Sequence, residues 1–269
     1  MVKLRSAAIV ALSFALLAPP AAAQEPATSS VLFDGVGFTF DAALGDGVAA
    51  SRVPFVAAVE GSMDPAVPEH LRLTTYVAPR KARTIATVEF YEISQLADAP
   101  ETMATVERLR TLLAGRPDPA VLADDPQQLP KMGDPDSPAL RARVAYVDQP
   151  GLSGVVYLGY DSLVADLLDP DLFAYVFHGL SDDGRWYVKA SISPKTELLP
   201  TYGMAAQRKA VRRITRTEQA YDAYIAESRT TLEEATPDAF TPSLSSLDDL
   251  IATIVVPGEV PAPIPSPAG

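Results

Sequence analysis

Two histidines, His70 and His178, supply the only imidazoles in a chain of 269 residues that contains no cysteine. A Ser-His-Asp hydrolase needs an imidazole beside a serine in a sharp turn, and neither Gly-x-Ser-x-Gly nor His-Glu-x-x-His occurs. The absence of cysteine excludes thiol catalysis and thiolate metal sites. Both histidines are therefore interpreted as structural or exposed strand residues. His178, together with Lys189 across a predicted hairpin, remains a candidate ligand-binding group.

Carboxylates are the next groups that could do chemistry. Asp124, Asp125, Asp134 and Asp136 lie in a segment rich in proline and glycine, and a further pair of aspartates flanks Pro170. Because calcium takes six to eight oxygen ligands from such loops, the first four are candidate ligands of a weak calcium site, the only cofactor considered. However, no Asp-x-Asp-x-Asp-Gly loop occurs, and acids between prolines equally favour turns. A carboxylate pair is also the basis of the alternative function, a carboxylate-dependent hydrolase.

Basic residues concentrate in one short segment, from Arg208 to Arg216. Arg212 and Arg213 at its centre are candidates for docking an anionic group or partner. The alternative interpretation is a solvated helix start that offsets the acidic remainder of the chain.

The first 23 residues have the layout of a secretory signal peptide. Lys3 and Arg5 give a basic start, residues 7–18 are apolar, and small residues precede a cleavage site near Ala23–Gln24. Without a cysteine the chain cannot take the lipid anchor of a bacterial lipoprotein. The sequence thus predicts export to the periplasm or the extracellular space.

The mature chain is strongly acidic. The net charge is −12 at pH 7, and it becomes −14 once the two basic residues of the signal are removed. Such a charge repels nucleic acid and anionic lipid surfaces at long range. We expect an unknown protein or a small neutral or cationic ligand as partner, no nucleic acid, and no membrane anchor after cleavage.

Hydrophobic periodicity predicts the elements that must position these groups. Strand patterns, rich in β-branched and aromatic residues, occupy 71–77, 84–91, 143–148, 154–160, 172–180 and 186–192, with two short extended pieces in 31–40 about an Asp-Gly turn. Helical patterns occupy 101–114, about 214–235 and 243–256. Thr241 is expected to cap the last helix, with Pro242 in its first turn. A corner at Pro79–Lys81 is expected to join the strands at 71–77 and 84–91, and residues 116–140 are expected to form a long loop, as a lid or an insertion.

The segment from Ser181 to Gly184 predicts a tight hairpin turn. That turn places one apolar set of side chains on a single face of the sheet, formed by Phe173, Tyr175, Phe177, Trp186, Val188, Ala190 and Ile192. His178 must then lie on the opposite face, roughly across from Lys189. That second face is either packed by helices or solvated.

Together these patterns predict an α+β fold, with a single mainly antiparallel sheet of six to eight strands and about three packed helices. The expected organisation is a signal peptide at 1–23, a flexible N-terminus at 24–30, one domain at 31–256 and a proline-rich disordered tail at 257–269.

Three segments carry a resemblance to a known group. VLFDGVGFTFDAAL at 31–44, the hairpin at 179–188 and the segment at 240–251 resemble, in that order, a group of exported bacterial proteins of unknown function. The opening strand and the tryptophan-containing hairpin also resemble the PsbP/Mog1-like sandwich, a binding and assembly fold. Neither resemblance assigns a functional residue. We expect an exported, soluble bacterial protein that binds a ligand or partner without catalysis, with the hydrolase as the alternative.

Overall fold

The computed structural model describes residues 28–59, 65–77, 83–130, 138–162, 164–200 and 204–258. The predicted signal peptide, most of the proline-rich tail, the corner at Pro79–Lys81 and two of the proposed calcium ligands, Asp134 and Asp136, lie outside these residues. The first described strand begins at Thr28, three residues before the predicted start of the domain.

Eleven strands and five α-helices lie in the described residues. The strands are β1 (Thr28–Phe33), β2 (Val36–Asp41), β3 (Gly47–Val53), β4 (His70–Val77), β5 (Arg83–Glu92), β6 (Pro138–Gln149), β7 (Leu152–Asp161), β8 (Ala174–Ser181), β9 (Trp186–Ile192), β10 (Lys195–Thr196) and β11 (Phe240–Thr241). The helices are α1 (Pro100–Gly115), α2 (Pro119–Asp124), α3 (Met204–Ile214), α4 (Glu218–Glu234) and α5 (Leu244–Ala252).

Seven of the strands form one antiparallel sheet in the order β3-β4-β5-β9-β8-β7-β6. The α+β prediction with a sheet of six to eight strands is confirmed. Two additional two-stranded sheets, β1-β2 and β10-β11, accompany the main sheet, and the five helices exceed the three that the sequence indicated. The order brings β5 beside β9, although about 90 residues separate them in the chain.

Each face of the sheet carries its own hydrophobic core. On the first face, α4, α5 and the β1–β2 hairpin cover the sheet, and Phe177, Val188 and Leu247 are fully buried there. On the second face, α1 and α2 cover part of the sheet, and Val106 and Leu109 of α1 pack against residues such as Val176. Alternation along each strand therefore sends neighbouring residues into different cores.

The β8–β9 hairpin has the predicted register. His178 lies opposite Lys189, and the turn closes with a hydrogen bond from the Gly184 amide to the Ser181 carbonyl at 2.8 Å. All seven side chains predicted to share one apolar face belong to the first core. Of the two alternatives for the opposite face, packing by helices is correct at His178, because α1 contacts β7 and β8.

Three helix predictions need correction. Residues 116–130 are not a plain loop, because Asp118 caps α2 by accepting the Ala120 amide hydrogen at 2.9 Å, and Pro119 opens the helix. The helix expected at about 214–235 is α4, which begins at Glu218 after the Thr217 cap, and the basic segment before it forms a separate helix, α3. Thr241 and Pro242 do not open α5: Ser243 is its cap, and Thr241 pairs with Lys195 between β11 and β10.

None of the helices in the described ranges combines the length and the apolar character needed to cross a membrane.

Candidate functional site

His178 is sealed inside the second core. Its imidazole Nδ1 lies 2.7 Å from the Tyr187 hydroxyl, and its Nε2 lies 3.4 Å from the Tyr157 hydroxyl, which donates to the Pro130 carbonyl at 2.7 Å. Because the Tyr157 hydroxyl donates its hydrogen to that carbonyl, its oxygen can accept a hydrogen bond from His178 Nε2, while the Tyr187 hydroxyl donates a hydrogen bond to His178 Nδ1. This arrangement satisfies both ring nitrogens of a neutral histidine.

Burial also keeps that histidine neutral. It lowers the pKa of His178 well below its ordinary value, and the positive charges of Lys189 and Arg141 lower it further. The side chain is fully buried, so a ligand does not reach it without opening the core. The structure thus places this candidate ligand group in a structural role.

Lys189, the second candidate on this hairpin, lies at the open margin of the same face. Cross-strand pairing puts Arg72, Glu89, Lys189 and His178 in one row across β4, β5, β9 and β8. Lys189 is 27% exposed, and its Nζ lies 3.9 Å from Glu89 Oε2. We call His70, Arg72, Glu89, Tyr91 and Lys189 the charged cluster.

Glu89 is the centre of the charged cluster. Arg72 donates from Nε to Glu89 Oε1 at 3.1 Å, with its Nη2 2.9 Å from the same oxygen, and the Tyr91 hydroxyl donates to Oε2 at 3.0 Å. Burial alone would raise the pKa of the Glu89 carboxyl, but His70, Lys189 and Arg72 outweigh it and lower that pKa to about 2. Glu89 is therefore ionised at every pH at which the protein is expected to work.

His70 lies on the buried side of the charged cluster. Its Nδ1 donates to the Pro68 carbonyl at 2.8 Å, and its Nε2 lies 3.5 Å from Glu89 Oε1 without a hydrogen-bond partner among the described residues. The imidazole stacks on the Tyr91 ring at 4.7 Å between centroids and has no exposed surface. Like His178, it cannot touch a bound substrate in this conformation.

The acidic candidates within the described ranges, Asp124, Asp125 and Asp169, are each engaged in a contact of their own. Asp124 forms an ion pair with Arg229 of α4, and Asp125 accepts a hydrogen bond from the Gln128 amide at 2.8 Å. Asp169 accepts the Asp171 amide hydrogen at 2.9 Å, which makes a local turn. Within the described part of the chain, no group of three or more histidine, aspartate or glutamate side chains could hold a metal ion.

The basic segment forms one face of α3. Ala210 and Ile214 are buried against Leu167 and α4, so the opposite side of the helix faces solvent. That side carries the five exposed cations Arg208, Lys209, Arg212, Arg213 and Arg216, the last in the turn after α3; we call them the basic face. Together with Ala206 and Ala210 they line an open groove of about 750 Å³.

The basic face differs from the other cations of the protein. Apart from Arg108, every other lysine and arginine whose side chain is described pairs with a carboxylate or donates to a carbonyl oxygen. None of the five on α3 forms an ion pair or hydrogen bond with another described side chain. Their charges are therefore available to a partner.

The spacing of these cations also opposes helix formation. Arg208–Arg212 and Lys209–Arg213 are like-charge pairs four residues apart within α3, each costing about 0.2–0.5 kcal/mol. Attraction to the carboxyl end of the helix offsets this cost for residues in the last turn, but not for Arg208 and Lys209. A local arrangement that costs stability without an internal partner is typical of a binding site.

No protein-family model, no curated protein and no solved structure matches the chain. The candidate sites therefore rest on the geometry described above.

Proposed function

We propose that this chain is an exported binding protein without a catalytic centre, and that the basic face of α3 binds an acidic surface of a partner protein. The proposal is supported by one observation above all: five exposed cations, none with an ion-pair partner among the described residues, share one side of α3 and its following turn in a chain of net charge −12. The periplasm or the extracellular space, predicted from the first 23 residues, is the proposed location.

The charge of α3 itself, rather than the net charge of the protein, determines the sign of the charge on the partner surface that binds there. The overall acidity favours a cationic or neutral ligand at long range, but salt screens charges beyond about 10 Å at 0.1 M ionic strength. A partner that touches α3 meets the five cations at contact distance, and distant carboxylates are screened. An acidic partner surface therefore fits α3, while the charge of the rest of the molecule disfavours extended polyanions such as nucleic acid.

The alternative, a carboxylate-dependent hydrolase, needs an exposed acid beside a second acid or an imidazole. In the described residues both imidazoles are buried, and Glu89 is held by Arg72 and Tyr91. Asp124 and Asp169 are each engaged in separate local contacts. No described arrangement favours this alternative over binding.

The test uses a short glutamate peptide as the acidic probe, because it meets the basic face without extending over the acidic remainder of the protein, together with two charge-matched double variants. Arg212→Glu/Arg213→Glu reverses two cations of the basic face, and Arg110→Glu/Lys195→Glu reverses two exposed cations elsewhere that form surface ion pairs. Both variants change the net charge equally. We expect the first to weaken binding at least about tenfold and the second to weaken it less than about threefold.

Equal weakening by the two variants would contradict the proposal, because binding would then follow net charge alone. Absence of binding by the unaltered protein at about 0.1 M ionic strength, where the distant carboxylates are screened, would also contradict it. Arg212, Arg213 and Lys195 are exposed and Arg110 is partly exposed, so both variants are expected to fold, each with a loss of about 1–2 kcal/mol from new like-charge contacts or from the helix end. Urea unfolding followed by the single tryptophan, Trp186, checks this control.

A further inference from the structure

Strand β3 is an open edge of the main sheet. In the described ranges no strand pairs with the outer side of β3, which ends the sheet order. The opposite edge strand, β6, is covered instead: α4 packs on it, and the Arg143 amide donates to the Glu233 carboxylate at 2.6 Å. One edge of the main sheet, β6, is therefore covered, and the other edge, β3, is open in the described ranges.

The usual protections of an edge are missing from β3. Exposed edges normally carry a lysine, a proline, a bulge or an inward charge that blocks further pairing. The run from Gly47 to Ser51 has no charge, no proline and an unbroken register with β4. The single charged residue, Arg52, is neutralised by Asp34 at 2.9 Å and by Glu69 at 3.0 Å.

Register shows which main-chain groups of β3 point outwards. Val56 and Val67 exchange two hydrogen bonds of 2.9 Å, and the pairing of β3 with β4 continues in the same register. Since hydrogen-bonded and non-hydrogen-bonded pairs alternate, Val48, Ala50 and Arg52 bond to β4. The amide and carbonyl groups of the alternate residues point away from the sheet; these residues are Gly47, Ala49, Ser51 and Val53.

We propose that β3 pairs with β3 of a second copy of this chain, antiparallel about a two-fold axis through Ala50. All seven residues of the strand then overlap, and the outward groups form about eight main-chain hydrogen bonds. Ala50 faces Ala50 of the second copy, Ala49 faces its Ser51, and Arg52 faces its Val48. The two main sheets join into one, and the closed two-fold symmetry leaves no further β3 edge open.

Two features favour a second copy over an unrelated strand. The pairing sets no charge opposite a like charge, and the only charged residue already has its counterions within its own chain. The exposed apolar residues that follow β3 would also lie against the second copy in this dimer. Phe55 and Val56, 43% and 52% exposed, follow Val53 and run alongside the residues that precede β3 in the second copy.

A cysteine cross-link tests the register directly, because the chain has no cysteine of its own. Ala50 and its copy form a non-hydrogen-bonded pair with Cα atoms about 4.5 Å apart, within the range that a disulfide spans. Ala50→Cys is therefore expected to form a disulfide dimer on mild oxidation. Ala49→Cys is the matched control, because its symmetry mate lies two residues further along the strand, beyond about 7 Å, and it should remain monomeric in denaturing gels.

Sedimentation equilibrium tests the interaction without a cross-link. Ala49→Pro removes an outward amide and no hydrogen bond to β4, so it should fold but weaken dimerisation at least tenfold. Ala49→Thr keeps the amide and should dimerise like the unaltered protein. Ser51→Pro repeats the test if Ala49→Pro does not fold.

Three results would overturn the proposal. The unaltered protein could be monomeric, a folded Ala49→Pro variant could dimerise normally, or dimers could form only after truncation behind Gly258. The last result would mean that the C-terminal segment of the same chain occupies the β3 edge. Equal cross-linking of Ala49→Cys and Ala50→Cys would refute the register about Ala50.

Discussion

Replacing Glu89 by glutamine removes the negative charge at the centre of the charged cluster and leaves its shape almost unchanged. The carboxylate is only 13% exposed and is surrounded by Arg72, Lys189, Tyr91 and His70. The ordinary glutamate pKa of 4.5 falls to about 2 in the folded protein. Because folding favours the ionised form, this charge stabilises the native state.

The size of that stabilisation follows from the two pKa values. The interval between 4.5 and about 2 corresponds to about 3 kcal/mol in the free energy of unfolding. The contribution is complete above about pH 4.5 and is lost as the pH falls through 2, where the carboxyl is protonated in the unfolded chain and half protonated in the folded protein. Glu89→Gln should therefore be less stable than the unaltered protein by about 3 kcal/mol at pH 7, with the difference falling below about 0.5 kcal/mol near pH 2.

Urea unfolding at a series of pH values, followed by Trp186 fluorescence, measures this difference. Glu92→Gln is the matched control: Glu92 lies three residues further along the chain, is 39% exposed and is 3.9 Å from Arg185. It should change stability by less than about 0.5 kcal/mol. A Glu89→Gln effect below about 1 kcal/mol at pH 7, or one that does not shrink on acidification, would refute the reasoning.

Two further predictions concern the buried histidine and the end of α4. Because the pKa of His178 is lowered in the folded protein, the free energy of unfolding should fall as the pH drops below 6.5, by up to about 1.4 kcal/mol per pH unit. His178→Asn keeps an acceptor for the Tyr187 hydroxyl but cannot titrate, so the difference in stability between this variant and the unaltered protein should narrow over that pH range. A constant difference would argue against a buried neutral imidazole. Arg143 has a left-handed backbone (φ 54°) and donates to the Leu232 carbonyl at 2.7 Å, the Glu233 carbonyl at 3.2 Å and the Ala235 carbonyl. Arg143→Ala should therefore destabilise the protein by about 2 kcal/mol in thermal or urea unfolding. Arg143→Gly loses the same hydrogen bonds but relieves the left-handed backbone, so its loss should be about 1 kcal/mol smaller. Equal losses would show that backbone conformation plays no part.

Local patterns predicted the parts of the fold that local chemistry determines. The Ser181–Gly184 turn fixes both the hairpin register and the side-chain alternation, so the apolar face and the pairing of His178 with Lys189 were correct. The helix predicted at 243–256 is present as α5, where Leu244, Leu247 and Ile251 recur at helical spacing and are all buried. The signal for α2 was present in Asp118 and Pro119 but was hidden by the proline and aspartate content around it.

The charged cluster could not be predicted, because it depends on strand order. Glu89 looks like an ordinary solvent-facing residue of an alternating strand, and only the placement of β5 between β4 and β9 brings Arg72 and Lys189 to it. Whether the cations of α3 have partners depends in the same way on tertiary contacts. The sequence left a docking surface and a solvated helix start as alternatives; the structure shows the five side chains exposed and without ion-pair partners among the described residues, and the docking surface stays a proposal.

A titration of the isotopically labelled protein with the short glutamate peptide, followed by amide NMR shifts, tests the proposed binding surface most directly. The largest shifts are expected in residues 206–216 at about 0.1 M ionic strength, and they should diminish as salt is raised towards 1 M. Shifts centred on the charged cluster around Lys189, or no shifts at about 0.1 M ionic strength, would contradict binding at the basic face.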